Sequence, residues 1–238
     1  MVRHVKDATG RFPERPHYEP AELDRECERL ITTFLCARHG EIRFPIDTED
    51  LKKLIERDAS DLDCYADLSG YGPDVEGLTQ FLPERRPAVK ISAKLTDDDR
   101  RENRLRTTLT HEYTHVRLHG YLFQMAQSQR SLFDAGDTFR TMCKRDADPL
   151  ALPQTDWMEW QAGYGCGALL MPVSYVRRAV EAVLTEHGHY GAVAPHSELG
   201  GLLARRVSEG FQVSVDAARV RLMKLGLLGE AQGQALFG

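Results

Sequence analysis

No apolar run in this chain of 238 residues approaches the ~18 residues needed to cross a bilayer. The opening residues Met1-Val2-Arg3-His4-Val5-Lys6 are polar and carry no apolar stretch of the kind that a secretion signal needs. Cysteine is sparse: Cys27, Cys36, Cys64, Cys143 and Cys166 make an odd number, five, with no Cys-x-x-Cys spacing. That argues against a disulfide framework and for reduced thiols in a cytoplasm. Positive charge is not in excess either. The 31 basic residues face 36 acidic ones, a net charge of −5, so the chain is no generic phosphate binder, and only a local basic patch stays open. No internal repeat and no low-complexity tract is present. The chain is 42% hydrophobic and 28% charged, which excludes a fibrous or wholly disordered protein.

Periodicity supplies the organisation. Residues 1–20 hold Pro13, Pro16 and Pro20 and show little pattern, so an arm of low order is expected there. Pro20 opens a helix whose Leu23, Cys27, Leu30, Ile31 and Phe34 share one face, and Gly40 stops it. Ile42–Ile46 alternates like a short strand, with Pro45 pushing it to an edge or crossover. A second helix follows over about 48–58. Gly77–Phe81 and Ala88–Ser92 read as strands, the latter as a candidate edge for pairing with an extended peptide. A long helix is expected over about 99–118. A polar, aperiodic stretch then runs over 126–156, long for a loop. Further helices are expected from Asp156 to Leu170 or Met171, from Ser174 to about Glu186, and over Leu199–Val207 and Val215–Leu225. The expected division is an arm at 1–20, a main domain at 21–190 and a helical C-terminal part at 191–238.

The chemistry lies in Thr110-His111-Glu112-Tyr113-Thr114-His115, a His-Glu-x-x-His pattern. Two histidines four residues apart stack on one helix face and can share one metal ion. Glu112 sits about 100° round the helix, where it can take a proton from a water that zinc has acidified. A catalytic zinc takes a third protein ligand. The extended pattern that would supply it fails, because Leu118 and Tyr121 stand where a Gly and a His are required. Glu159 is the candidate. It opens an apolar helix rich in small residues (Ala162, Gly163, Gly165, Gly167), which suits close packing on a neighbour. The competing reading is an exposed first-turn acid favoured by the helix dipole. His119, Tyr113, Tyr164 and His189 are weighed as oxyanion stabilisers against ordinary structural roles. Val213–Leu225 has a helix-turn-helix look, yet five basic residues in 195–238 face four acidic ones, which makes DNA binding the weaker reading.

Thr107-Thr108-Leu109-Thr110-His111-Glu112-x-x-His115 resembles the zinc helix of the ImmA/IrrE metallopeptidase family. Glu159-x-x-Ala162 with Ala168-Leu169-Leu170-Met171-Pro172 resembles that family's second motif. Leu203–Val207 with Val213-Ser214-x-x-Ala217, Arg221-Leu222 and Leu225-Gly226-Leu227 resembles its C-terminal helices. The resemblance implies an α+β zinc-peptidase domain of gluzincin type: a small sheet from 42–92 packed on helices 99–118 and 157–171, completed by a helical C-terminal extension. It implies His111, His115 and Glu159 as zinc ligands and Glu112 as the base. It further implies a cytoplasmic regulatory endopeptidase that cuts a partner helix-turn-helix repressor to release a stress, mobile-element or anti-phage operon. The alternatives are a partner- or DNA-binding regulator with a non-catalytic zinc, or a toxin–antitoxin component. Such a protease must stay silent until signalled, with nucleic acid one candidate activator. Cys143, flanked by Lys144 and Arg145 between the two metal motifs, is the candidate for an inhibitory fourth ligand, since a thiolate binds zinc at ~2.3 Å.

Overall fold

A computed structural model describes residues 3–82, 85–128, 139–144 and 156–229, with side chains described except at 127–128 and 139–144. The architecture is mixed α+β. It begins with a β-hairpin where the low-order arm was expected: β1 (Arg3–Lys6) pairs antiparallel with β2 (Glu14–His17). The hairpin is held from outside rather than by its own pattern, which is why its prolines and charges hide it. The Asp7 carboxylate accepts from the Thr9 amide (3.0 Å) and hydroxyl (2.7 Å), the Phe12 amide (3.0 Å) and the Trp157 indole N–H (3.1 Å). Phe12 then packs edge-on against Phe123 and Trp157.

Helix α1 (Pro20–His39) starts with a proline in its first turn and a reciprocal Glu19–Glu22 capping box, and it buries Leu23, Cys27, Ile31, Phe34 and Leu35. Helix α2 (Thr48–Asp58) buries Leu51, Leu54 and Ile55. Between them, 42–46 forms no strand. Its alternating apolar residues serve as a plug instead: Ile46 is buried, and Phe44 rests on Tyr175 and Phe211 with ring centroids 4.6 and 5.5 Å away.

The main sheet has the order β3 (Asp61–Ala66), β5 (Ala88–Ser92), β4 (Val75–Phe81), β6 (Phe139–Lys144). β3 and β5 run parallel, and the other pairs are antiparallel. Ala88–Ser92 is therefore an ordinary interior strand, and its candidacy as an edge for an extended peptide falls. Its partners occupy both sides, and it is buried along nearly its whole length. The outer side of β4 is taken by β6, which the aperiodic 126–156 stretch contributes.

A short helix α3 (Ala93–Thr96) leads to α4 (Glu102–Ser128), longer than the expected 99–118. α4 packs on β4 and β5 on one side and on α5 (Trp157–Leu170) on the other. α6 (Val173–Glu186), α7 (Glu198–Phe211) and α8 (Val215–Lys224) complete the chain. The C-terminal pair shares the main core: Leu203, Val207, Phe211, Ala218 and Leu222 join one cluster with residues of α1, α4 and α5. Part of this pair's helix-turn-helix pattern goes into packing. Arg221, one of its basic residues, is fully buried, with its Nε–H donating to the Met171 carbonyl (3.0 Å) and its guanidinium 2.7 Å from Asp24. Arg219 donates to the Pro195 carbonyl. Among the described residues no helix is long and apolar enough to cross a membrane.

Candidate metal centre

The middle of α4 is polar yet buried. Thr110 and Thr114 satisfy their hydroxyls within the helix, each donating 2.8 Å to the carbonyl four residues back. This leaves His111 and His115 on one face one turn apart, their rings edge to face with centroids 4.9 Å apart. Helix α5 brings the third group. Its Asp156 cap accepts from the Met158 amide, and Glu159 follows in the first turn. Gly165 lets α5 come this close, since a Cβ there would stand 2.6 Å from Thr114 Cγ2. Thr110 and Cys166 meet at 3.1 Å across the same interface, and burial pushes that thiol up to about 11.

The donor atoms converge. His111 Nε2 lies 3.1 Å from Glu159 Oε2, His115 Nε2 lies 3.3 Å from Glu159 Oε1, and the two Nε2 atoms are 3.2 Å apart. Tetrahedral bonds of about 2.0–2.1 Å, those of zinc to nitrogen and carboxylate oxygen, set their donor atoms about 3.3 Å apart. The spacing and the His₂-carboxylate chemistry thus fit a zinc-sized ion, and His111, His115 and Glu159 form a potential metal-binding triad. Both histidines are fully buried, whereas the Glu159 side chain is 20% exposed, so the cluster reaches solvent on the α5 side. Burial works to raise the Glu159 carboxyl, and the two imidazoles override it, holding it well below the carboxylate range. The same carboxylate raises His115 against the effect of burial.

Glu112, next along α4, faces the sheet. Its Oε2 accepts from the Thr79 hydroxyl at 2.6 Å, while Oε1 is buried without a hydrogen-bond partner. Burial pushes this carboxyl up, and the nearby His111 and His115 oppose the shift. Space for it comes from Gly77 on β4. A Cβ there would lie 2.6 Å from Glu112 Oε1 and 2.7 Å from Thr108 Cγ2.

Four of the residues singled out from sequence, His111, Glu112, His115 and Glu159, therefore come together. Cys143 lies on β6 with its backbone opposite Gly77, and its side chain is outside the described residues. The oxyanion candidates lie elsewhere. Tyr113 hydroxyl donates to Asp58 (2.6 Å), Tyr164 hydroxyl to Asp24 (2.9 Å), and His189 meets the Ala192 carbonyl. His119 stands behind His115, where burial drives it well below the usual imidazole range. Sequence reasoning missed Gly77, Thr79 and Gln161. Only the third histidine at the same four-residue spacing, His119, advertised that this face of α4 continues inward. The chain matches no family model, no curated protein and no solved structure.

Proposed function

We propose that this chain is a zinc-dependent endopeptidase of gluzincin type. One observation carries the reading: three donor residues spaced for one zinc, beside a buried carboxylate with one oxygen held and the other free. A purely structural zinc would have no use for Glu112. When bound, zinc lowers the pKa of a water toward ~7 and polarises the scissile carbonyl. The chain's own residues do the rest. Thr79 fixes Glu112 through Oε2, which leaves Oε1 to take the proton of the attacking water and to return it to the leaving amine. His111, His115 and Glu159 would hold the metal, and the partial exposure of Glu159 supports substrate approach from that side.

The resemblance to ImmA/IrrE peptidases extends the proposal to a site-specific cytoplasmic protease whose substrate is a partner helix-turn-helix repressor, with nucleic acid as the candidate activator. Co-expression with such a repressor should give one discrete cut. Glu112→Gln should retain about one zinc per chain yet lower the cleavage rate by about 10²–10⁴. Wild-type cutting by Glu112→Gln refutes the mechanism, and many cuts in unrelated unfolded proteins would point to a housekeeping peptidase.

A further inference from the structure

Behind His115 a chain of buried polar groups runs to the N-terminal hairpin. His115 Nδ1 is 3.0 Å from His119 Nδ1, His119 Nε2 is 3.0 Å from Gln161 Oε1, and Gln161 Nε2 donates 3.0 Å to the Pro16 carbonyl. His115, His119 and Gln161 are all at most 1% exposed, so no solvent exchange blurs the pattern. Its direction is forced from one end. A carbonyl oxygen only accepts, so Gln161 must turn its NH₂ to Pro16 and its Oε1 to His119. An amide oxygen also only accepts, so His119 must carry its proton on Nε2. A neutral His119 then has a bare Nδ1, which accepts from His115, so His115 holds its proton on Nδ1. With that proton held on Nδ1, His115 Nε2, the atom that faces His111 and Glu159, is the nitrogen left to bind a metal.

We propose that His119 and Gln161 are positioning residues that lock His115 in the one tautomer able to bind metal through Nε2, with the Pro16 carbonyl of the N-terminal hairpin as the fixed end of the relay. Histidine ligands ordinarily gain this orientation from a single carboxylate or backbone carbonyl. Here the backbone carbonyl that ends the chain, that of Pro16, is two side chains away, and a second imidazole, one helical turn along α4, spans part of the gap. The arrangement also gives the hairpin a role in the centre, for it holds the Gln161 amide the right way round. Gln161 cannot be replaced in this by an apolar residue of similar size, because His119 would then be free to present either nitrogen to His115.

The proposal rests on the metal reading, and its test separates the two. Long-range ¹H–¹⁵N correlation spectra of the metal-free protein, with histidine ¹⁵N labelling, should show His115 protonated on Nδ1 and His119 on Nε2. The opposite assignment at either ring overturns the relay. Zinc competition titrations against a chelating dye supply the second readout. His119→Phe and Gln161→Leu should weaken zinc binding about 10–100-fold, the usual range for losing such an outer partner. His119→Gln, whose side-chain oxygen can still accept from His115 Nδ1–H, should recover most of that loss. A merely structural role would lower the melting temperature of all three variants and leave zinc affinity and the His115 tautomer unchanged, which would also overturn the proposal. Should His119→Phe fail to fold, the wild-type spectra and Gln161→Leu decide. A wild-type protein that shows these tautomers but binds no zinc would refute the metal reading and leave the tautomer lock standing.

Discussion

Gly77→Ala tests the geometry of the base without touching a ligand. An added Cβ would stand 2.6 Å from Glu112 Oε1, 2.7 Å from Thr108 Cγ2 and 2.9 Å from Glu112 Cγ. Ordinary contact begins near 3.4 Å, so the Glu112 carboxylate must retreat by about 0.8 Å or the strand must back away from α4. Neither is easy. Glu112 is fully buried and tied to Thr79, and β4 is bonded to strands on both sides. Overpacking of this kind costs about 1–3 kcal/mol, and a misplacement near 1 Å at a reacting group costs about 10²-fold in rate. The candidate metal donors lie on α4 and α5, and none of them is among the atoms an added Cβ at Gly77 would meet most closely, so metal binding should stay. The assay is cleavage of a partner helix-turn-helix repressor by zinc-loaded protein, with zinc content measured on the same sample. Expected is about one zinc per chain and a rate lower by about 10². Full activity would show that the position of Glu112 against β4 does not matter and would refute the proposed role of Thr79 and Gly77.

Three further outcomes follow from the packing. Gly165→Val should push α5 off α4, because even a Cβ meets Thr114 at 2.6 Å; both melting temperature and zinc affinity should fall, and unchanged zinc binding would contradict the placement of Glu159 by this contact. Asp7→Asn should destabilise by about 2 kcal/mol in chemical denaturation, since a charged acceptor of four donors is lost. Burial raises the Asp7 carboxyl, and those hydrogen bonds outweigh it and leave the folded pKa below 3.8. The wild-type advantage should therefore be complete above the unfolded pKa and shrink as pH falls through the lower folded value; a difference independent of pH would count against it. Cys143→Ala should raise basal cleavage if its thiolate occupies the fourth zinc position, and unchanged cleavage would dismiss that role.

The helices were legible because their apolar residues recur at helical spacing, and the metal pair because its chemistry is local to five residues. Glu159 was legible as an acid at the head of a small-residue helix. The failures share a cause. The β1–β2 hairpin is specified by Asp7 reaching Trp157 on a helix far along the chain, a contact no local pattern reports. Ile42–Ile46 alternates as a strand does, yet Pro45 removes a ladder donor and Phe44 finds aromatic partners instead. β3, with Asp61 and Asp63, is too polar to stand out, and it exists because β5 pairs with it. His119 was weighed as an oxyanion stabiliser, because its partner Gln161, and Pro16 beyond that, lie far from it in the chain and no local pattern reports them.

X-ray absorption at the zinc edge tests the central claim most directly. Wild-type protein should carry about one zinc bound by two imidazole nitrogens and a carboxylate at about 2.0–2.1 Å, with an added sulfur at ~2.3 Å only if Cys143 is engaged. Glu159→Ala should lose the metal or this coordination shell. A wild-type protein that takes up no zinc, or a Glu159→Ala variant whose shell is unchanged, would contradict the account.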